Sequence, residues 1–538
     1  MNENEFKNPS KEYRPAPFWS WNDKLEDEEL IRQVRDMKEK GFGGYFMHSR
    51  VGLITNYLSD DWMKKIKVCL TEGKKTGMES WLYDEDKWPS GFAGGIVPAM
   101  GDKYRAKGIE AQWLEEEQLS VIFKDYKTIA VFSVVFKQKD ELEKMVRLLS
   151  RNDVPLPAGK LIAFKIVTDK PSNWYNGETD TDHLNPKATK AFLKCTHEAY
   201  AERFQSKFGE FMPGIFTDEP HFHGIGDFSW TKDLPQFFVR FKGYDLRNFL
   251  PLLYFKGAGY HKVRYDFNYA LTKKFIKSYT LPYSKCCKKY GLKFTGHYNQ
   301  EDTLLDQVMW TGAAMPHYEY MDVPGIDHLE RNIREPLTLK QVTSVARQFD
   351  RKRILCEIFG VSGHSMSFED QKWIADFHFA LGVTFMNQHL TLYSMTGDRK
   401  RDYPPTFSYH QPYWKYYRHI NDYFSRCAYM LSQGKPVTDI LMLHPMATGW
   451  TTYTGTMQGE NLLSKNRDII HYDNELETIL KTLLEGHFDF DFGDEIIIKK
   501  HAKIGKSLIS IGKQKYKLII VPPSLNWSSK TLKLLKEY

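Results

Sequence analysis

The sequence lacks the features that mark several common classes of protein. None of its six cysteines forms a C-x-x-C or C-x-x-x-C pair, so reduced thiols are expected, as in a cytosolic protein. No run approaches the roughly 18 apolar residues that span a bilayer, and the amino terminus carries no apolar segment typical of a signal peptide. A G-x-G-x-x-G motif after a strand, a P-loop and a G-x-S-x-G elbow are also absent. We therefore expect a cytoplasmic protein without a membrane partner.

The sequence also has only a small excess of positive over negative charge. The 75 basic and 68 acidic residues leave a formal net charge of only +7 over 538 residues. The lysines fall mostly in helix-like segments such as KKFIKSY and KTLKLLKEY, which indicates a solvated surface. A nucleic-acid-binding protein would instead collect its basic residues on one face. We expect no nucleic-acid partner.

What the sequence does contain is a repeated order of helix and strand. Seven strands are predicted at 43–50, 79–86, 214–220, 293–302, 314–327, 353–360 and 383–390, and an eighth at 173–184. Each of the seven follows a helical pattern, in several cases one closed by glycine, which is the normal connection from helix to strand. This order predicts an α/β protein with a (β/α)₈ barrel within residues 1–425. Polar residues at the strand ends favour the barrel over a doubly wound open sheet.

Two segments interrupt or follow this order. Residues 105–170 include KTIAVFSVVFK and KLIAFKIVTDK, whose alternation of apolar and polar residues predicts a small β insertion after the strand at 79–86. Residues 426–538 contain TDILMLHP, NELETILKTLLEGH and KYKLIIVPP, which predict a partial open α/β unit with a parallel sheet. Because the sequence stops inside the helical pattern SSKTLKLLKEY, a truncated chain with an exposed sheet edge is expected.

Polar side chains crowd the carboxyl ends of the predicted strands, where barrel active sites lie. The candidate substrate-binding residues at or beyond these ends are His48, Arg50, Asp84, Asp86, Trp88, Asp218, His297, Asp327 and His389. One carboxylate at a strand end is readily explained as a helix cap or an ion pair. Carboxylates at most ends of one ring are harder to explain in that way. Trp88 suits stacking on a sugar ring, although packing in a core explains it equally well.

Two glutamates fit the chemistry of glycosidic bond cleavage. That reaction needs one carboxylic acid to protonate the leaving oxygen and one carboxylate to attack the sugar or deprotonate water. Glu219 ends the strand in GIFTDEP, and we interpret it as the acid because Asp218 and apolar neighbours would raise its pKa. Glu357 lies among apolar residues in ILCEIFG, which argues against a surface charge. A buried ion pair of Glu357 with Arg50 or Arg353 is the alternative.

Several motifs together resemble glycoside hydrolase family 106, whose characterised activity is α-L-rhamnosidase. They are PFWSWND (17–23), GGYFMHSRVGL (43–53), YLSDDW (57–62), LYDEDKWPSG (82–91), FTDEP (216–220), GH (296–297), PGID (324–327) and the strand around Glu357. The resemblance covers most of residues 15–525, and it implies a (β/α)₈ catalytic domain that hydrolyses terminal rhamnose with inversion. It also implies a Ca²⁺ that contacts sugar hydroxyls. By this resemblance the acid is Glu219 and the base is Glu357, with Glu301 and Glu319 as further candidates for base or metal ligand.

Three functions remain open at this point. The first is removal of terminal α-L-rhamnose from plant or bacterial glycans. The second is a retaining glycosidase with another specificity, such as a β-galactosidase, because specificity lies in loops and the terminal unit resembles the amidotransferase-like domain of some β-galactosidases. The third is a carbohydrate-binding barrel without catalysis. All three predict an oligo- or polysaccharide partner.

Overall fold

The computed structural model describes residues 2–538 and confirms an α/β protein built on a (β/α)₈ barrel. The strands are β1 (Phe18–Trp21), β2 (Gly44–Ser49), β3 (Glu79–Tyr83), β4 (Lys107–Leu114), β5 (Thr128–Gln138), β6 (Glu141–Leu148), β7 (Lys160–Thr168), β8 (Gly214–Thr217), β9 (Phe228–Trp230), β10 (Lys293–Gly296), β11 (Val323–His328), β12 (Leu355–Ile358), β13 (Phe385–Gln388), β14 (Thr391–Leu392), β15 (Ile440–Leu443), β16 (Phe490–Gly493), β17 (Ala502–Ile504), β18 (Ile509–Ile511), β19 (Gln514–Tyr516) and β20 (Leu518–Ile520). The helices are α1 (Glu3–Lys7), α2 (Asp27–Glu39), α3 (Asp60–Thr76), α4 (Ile96–Ala99), α5 (Leu119–Ile122), α6 (Pro186–Leu193), α7 (Ala199–Phe204), α8 (Leu234–Lys242), α9 (Pro251–Tyr254), α10 (Tyr260–Phe275), α11 (Leu281–Tyr290), α12 (Leu304–Trp310), α13 (Met315–Tyr318), α14 (Leu337–Gln348), α15 (Phe368–Ala380), α16 (Tyr417–Leu431), α17 (Met446–Thr452), α18 (Leu462–Lys465), α19 (Arg467–Glu485), α20 (Glu495–His501) and α21 (Ser529–Glu537).

The barrel strands are parallel and follow the order β1, β2, β3, β8, β10, β11, β12 and β13. The short strand β14 comes directly after β13 in the chain and pairs with β1, so it closes the ring. A further hydrogen bond at this seam runs from the Ala16 N–H to the Met386 carbonyl oxygen at 3.0 Å. The seven strands predicted between residues 43 and 390 are all present with narrower bounds, and the first residues of the 314–327 segment form α13 instead.

The prediction of the eighth strand was wrong. The strand that completes the barrel is β1, and residues 173–184 form no barrel strand. Their backbone instead forms a bridge between Thr181 and Arg105, and an Asx turn forms where the Leu184 N–H donates to the Asp182 carboxylate at 3.1 Å. Asx turns of this kind compete with regular pairing. The strand β1 was not predicted because no helical pattern precedes it in the sequence.

Alternation along the strands sorts side chains between two apolar layers. One layer fills the inside of the barrel below the carboxyl ends of the strands, and it includes Phe18, Phe46, Trp81 and Phe216. Trp19, by contrast, faces the helices, is 0% exposed, and donates a 2.7 Å hydrogen bond to Gln33. The barrel is therefore a packed core, and only the carboxyl ends of its strands are left for chemistry.

The predicted β insertion is an antiparallel sheet in the order β6, β5, β7, β4 and β9. Its last strand, β9, belongs to the chain that follows barrel strand β8 and pairs with β4. The insertion is therefore hydrogen-bonded to a segment of the barrel chain. This junction is tight, because a Cβ atom on Gly108 would lie 1.6 Å from the Ile225 carbonyl oxygen. Only glycine fits at that approach.

A second unit follows α16 and packs against the barrel helix α14. Its parallel sheet has the order β16, β15 and β20, and β17, β18 and β19 form a separate antiparallel sheet. Lys340 and Arg347 of α14 reach this unit, where Arg347 contacts Asp491 at 3.0 Å and Lys340 contacts Asp489 at 2.6 Å. Among the described helices, none combines the length and apolar character that a bilayer crossing requires.

The contact between Lys340 and Asp489 gives a test of how strongly the two units are joined. The Lys340 side chain is 0% exposed, so Asp489→Ala leaves a buried ammonium group without this carboxylate. We expect the free energy of unfolding to fall by about 3 kcal/mol, measured by urea unfolding. The control is Asp439→Ala, which removes a pair whose side chains are 50% and 66% exposed and should cost less than about 1 kcal/mol. Equal losses in the two variants would contradict this interpretation.

Candidate active site

Five of the ionisable side chains predicted from the sequence lie together at the mouth of the barrel, meaning the carboxyl end of its strands. Asp218 and Glu219 follow β8, His297 follows β10, and Asp327 and Glu357 lie within β11 and β12. The register pairs Asp327 directly with Glu357 across the last two strands. All five were predicted from the sequence as candidate site residues, and the structure places them at one end of the barrel.

Asp218, His297 and Glu357 form the centre of this group. His297 Nε2 lies 2.7 Å from Glu357 Oε2 and 3.5 Å from Asp218 Oδ1. The Tyr83 hydroxyl donates to Asp218 Oδ2 at 2.5 Å. Close approach of the backbones permits this geometry, because Gly296 has φ +124° and a Cβ atom there would lie 1.9 Å from a carbonyl oxygen of β8. The glycine before His297 is thus required by the packing of neighbouring strands.

Glu219 leaves its strand with an unusual backbone conformation. Its φ is +50°, in the left-handed region that residues other than glycine seldom adopt. The side chain is partly exposed, and Asn299 Nδ2 donates to its Oε2 at 3.3 Å. The turn therefore presents the carboxyl group of Glu219 at the mouth, in contrast to the buried Glu357.

Arg50 is the cation of the mouth, and a carboxylate outside the central group holds it. It makes a bidentate contact with Asp402, at 2.8 Å and 3.0 Å. Its Nη1 donates to His48 Nε2 at 3.1 Å, and Nη2, which also binds Asp402, donates to His389 Nε2 at 3.2 Å. The guanidinium also lies 4.0 Å from the ring centre of the partly exposed Trp88. Arg50 is therefore not in an ion pair with Glu357.

The other alternative partner of Glu357 is engaged elsewhere. Arg353 contacts Glu79 at 3.0 Å. Glu357 instead faces two imidazoles, with His389 Nε2 3.7 Å from its Oε1 and His297 on its other oxygen. Within residues 2–538, no cation forms an ion pair with Glu357, so its charge is not fixed by a counter-ion. Such an environment suits a residue that changes protonation state.

Burial and mutual repulsion raise the pKa values of the mouth carboxyls. The pKa of Glu357 is raised to about 8 by burial, against the opposing field of Arg50. Burial raises the pKa of Asp218 to about 6. The pKa of Glu219 and that of Asp327 are both raised well above their usual range, first by burial and then by neighbouring carboxylates. The group therefore holds protons at a pH where isolated carboxyls would have lost them.

Three predicted substrate-binding residues take supporting roles. Asp84 is 0% exposed and accepts hydrogen bonds from Ser90 at 2.5 Å and from Tyr283 at 2.9 Å, so it braces the barrel wall and the prediction of substrate contact is corrected. His48 is likewise 0% exposed and stacks on Tyr83 with ring centres 3.7 Å apart. Asp86 ties two loops together.

The loops joined by Asp86 come from the β2 end and from the 173–184 segment. Its carboxylate accepts from Ser49 Oγ at 3.0 Å and from Asn176 Nδ2 at 2.9 Å. This bracing holds the segment around Trp88 at the rim of the mouth. The ring of Trp174 packs edge-on against Trp88 at 4.5 Å.

An acidic cavity of about 370 Å³ opens beside Glu219. It is lined by, among others, Glu219, Glu301, Asp302, Asp327 and Glu335. Glu301 accepts a 2.6 Å hydrogen bond from Tyr318 on one oxygen, whereas its Oε2 is buried without a hydrogen-bond partner. Asp327 Oδ1 is unpartnered in the same way. Buried carboxylate oxygens without donors fit the ligand preference of Ca²⁺.

The central group is less suited to a metal. One ligand atom each of Asp218, His297 and Glu357 lies within 4.8 Å of the others. However, the 2.7 Å distance between His297 Nε2 and Glu357 Oε2 is a direct hydrogen bond. The nitrogen is thus used by the protein itself, and the cavity next to Glu301 is the better cation site.

Glu319 does not belong to the mouth, which corrects its prediction as a base or metal ligand. It follows α13 and precedes β11, on the opposite side of the barrel. Its carboxylate contacts Lys500 at 2.7 Å and His501 at 3.0 Å. Glu319 therefore joins the barrel to α20 of the second unit.

Sequence reasoning also missed residues of the site. Tyr83, Asp402 and Glu335 were not predicted, although each contacts or lines the mouth. Strand alternation could have identified Tyr83, because it shares the inward face of β3 with Trp81. Asp402 and Glu335 lie in loops that follow the strands, where no periodic signal exists.

Comparison with known proteins finds relatives in sequence and in fold. A putative beta-glucuronidase of Formosa agariphila is 22% identical over 524 residues, which cover 82% of this chain and 42% of that protein. The chain thus spans less than half the length of this curated relative. The solved structure of a rhamnosidase from Novosphingobium sp. PP1Y superposes with a TM-score of 0.70 at 13% identity, covering 99% of this chain and 68% of that chain.

A beta-galactosidase from the psychrophilic Marinomonas ef1 is also similar, with a TM-score of 0.58, 9% identity, and coverage of 98% of this chain and 74% of that chain. At these identities the solved structures show a shared fold. The family model for glycoside hydrolase family 106, described as alpha-L-rhamnosidase, matches residues 166–538, which is more than half of the 538-residue chain. The chain belongs to glycoside hydrolase family 106.

Proposed function

We propose that this protein is an exo-acting glycoside hydrolase that removes terminal α-L-rhamnose from an oligo- or polysaccharide, with inversion. The observation that carries the proposal is that Glu219 and Glu357 share one barrel mouth, where Glu219 is partly exposed and Glu357 is buried. Family membership and the shared fold with a rhamnosidase support rhamnose as the sugar.

Glu219 is suited to the role of acid. Its raised pKa keeps the carboxyl group protonated, and its partial exposure leaves it accessible from the mouth. In the proposed step the proton of Glu219 passes to the glycosidic oxygen while the bond from that oxygen to the anomeric carbon breaks. The leaving group departs as a neutral alcohol, and Glu219 is left as a carboxylate.

Glu357 is suited to the role of base. A water molecule forms the new bond to the anomeric carbon and gives one proton to the Glu357 carboxylate. His297 fixes the orientation of Glu357 through the 2.7 Å hydrogen bond to Oε2, while the field of Arg50 favours the charged form. After product release, the proton gained by Glu357 and the one lost by Glu219 are exchanged with solvent.

The acidic cavity fits a bound Ca²⁺. Glu301, Asp327 and Glu335 would hold the ion, because their oxygens line one cavity and two of these oxygens lack other partners. When bound, Ca²⁺ supplies positive charge beside the mouth carboxyls and open coordination positions for sugar hydroxyls. The pKa of Glu301, raised to about 8 by burial, shows how costly its charge is without a cation.

A retaining glycosidase with another sugar specificity is the second candidate. It is favoured by one distance, since Asp218 and Glu357 bring carboxylate oxygens within 4.8 Å of each other. A retaining pair lies about 5–5.5 Å apart, whereas an inverting pair lies roughly 6.5–9.5 Å apart. Proton NMR of the first anomer released distinguishes the two reactions. A barrel that binds saccharides without catalysis would show binding and no product.

Replacing the acid tests the proposed function directly. We expect wild-type protein to hydrolyse aryl α-L-rhamnosides, and Glu219→Gln to lose about 10²–10⁴-fold in kcat with a poor leaving group. With an activated aryl leaving group the loss should be much smaller, because little protonation is needed. Steady-state kinetics with the two substrates measure the difference. Equal losses on both would exclude Glu219 as the acid, and a folded wild type without any rhamnosidase activity would refute the proposed sugar.

The charge of Arg50 should set the pH dependence. Arg50 lowers the pKa of Glu357, so Arg50→Gln raises that pKa and moves the low-pH limb of kcat/KM to higher pH. Arg50→Lys keeps the positive charge but loses the bidentate contact with Asp402, and its limb should stay close to that of wild type. pH profiles of kcat/KM for the three proteins measure the shift. The same shift in both variants would mean that geometry, and not charge, controls the limb.

The calcium assignment is tested by comparing two glutamates. We expect Ca²⁺ to raise the Tm of the wild type relative to a sample with chelator, and chelation to lower its turnover. Glu301→Gln should lose most of the calcium-dependent rise in Tm because it removes a cavity ligand. Glu319→Gln is the matched control, since Glu319 contacts the second unit, and it should keep the full rise. A full rise in Glu301→Gln would place the ion elsewhere.

A further inference from the structure

The histidine motif after the catalytic strand has no place in the chemistry described so far. His221 and His223 follow Glu219 and its neighbouring proline. Both rings pack on Trp310, with ring-centre distances of 4.9 Å and 4.5 Å. Only His221 turns back toward Glu219, and the two histidines therefore differ in what they can do.

His221 makes a short contact with the backbone of Glu219. Its Nδ1 lies 2.9 Å from the Glu219 carbonyl oxygen. Because a carbonyl oxygen can only accept, this contact places a proton on Nδ1. On the other side of the ring, Nε2 faces Asp180 Oδ2 at 3.5 Å, and the edge of Trp310 restricts rotation of the ring. The imidazole, which is nearly inaccessible, is thus held between two oxygens.

The backbone that His221 contacts is the strained one. Glu219 has φ +50°, and a residue with a Cβ stays in the left-handed region only where its surroundings fix it there. The conformation decides the direction of the Glu219 side chain as the chain leaves β8. Asn299 Nδ2 donates to the carboxyl end of the same side chain at 3.3 Å. It also lies 3.3 Å from His221 Nδ1, but this approach is not a hydrogen bond, because Nδ1 donates to the Glu219 carbonyl.

We propose that His221 is a positioning residue that clamps the backbone of Glu219 in the left-handed conformation from which its carboxyl group reaches the mouth. Trp310 restricts the ring, and Asp180 Oδ2 lies 3.5 Å from its Nε2, so the polar 173–184 segment borders the site. The inference rests on the proposed role of Glu219 as the acid. It assigns no proton transfer to His221 itself.

Two replacements of His221 test the clamp, because each imitates a different ring nitrogen. The amide of His221→Asn lies where Nδ1 lies and can still donate to the Glu219 carbonyl, whereas the amide of His221→Gln imitates Nε2 and reaches only toward Asp180. With a rhamnoside carrying a poor leaving group, we expect His221→Ala and His221→Gln to lose about 10²-fold in kcat. His221→Asn should recover most of the rate, and the KM values should change little.

Two comparisons separate positioning from general damage to the loop. With an activated aryl leaving group, the His221 variants should approach the wild-type rate, because a misplaced acid then matters less. His223→Ala is the matched control, as it removes the other histidine on Trp310 and should retain wild-type kinetics. An unchanged rate in His221→Ala, or an equal loss in His221→Asn, would overturn the proposal.

A structural measurement decides the matter even if the wild type hydrolyses no rhamnoside, a result that would refute the proposed function alone. Crystal structures of the wild type, His221→Asn and His221→Ala give the φ of Glu219. We expect positive φ in the first two and a return to negative φ in His221→Ala, with the carboxyl group displaced from Asn299. Positive φ in His221→Ala would overturn the clamp.

Discussion

The crowding of carboxyl groups around one arginine is the constraint on which the barrel mouth depends. Asp218 and Glu357 are buried, and the partly exposed Glu219 lies beside them, so like charges repel strongly and the field of Arg50 lowers the pKa of each carboxyl group. The cost of charging all three is relieved by keeping protons in the group or by adding a cation. A change in the charge of one member therefore shifts the pKa values of its neighbours.

Arg50 can serve this cluster only because a distant part of the chain holds it. Its bidentate partner Asp402 lies in the loop that follows β14, the strand that closes the barrel against β1. Such a contact fixes both the position and the plane of the guanidinium. The electrostatics of the mouth are thus tied to the seam of the barrel, where the first and last strands meet.

Seven barrel strands were predictable because each is a short apolar segment that follows a helical pattern. Alternation along a strand places Glu357 on the inward face with Leu355, and Asp218 with Phe216. Where the sequence follows no period, prediction failed. Residues 173–184 looked like a strand because of their place in the order, yet their backbone bonds to residues 104–106 beside the insertion and not to a barrel strand. Asp402 could not be found, since only the closed ring brings its loop to Arg50.

The pairing of β9 with the insertion limits how far the length of the insertion can vary. The chain between Glu219 and β9 is anchored at both ends, by the Phe222 N–H on Trp310 and by the Asp227 N–H on Ile109, at 3.0 Å and 2.9 Å. The insertion is consequently not an independent module that could be deleted or exchanged. Lengthening or trimming its sheet would displace the segment that follows Glu219, so the geometry of the barrel mouth constrains the length of this peripheral sheet.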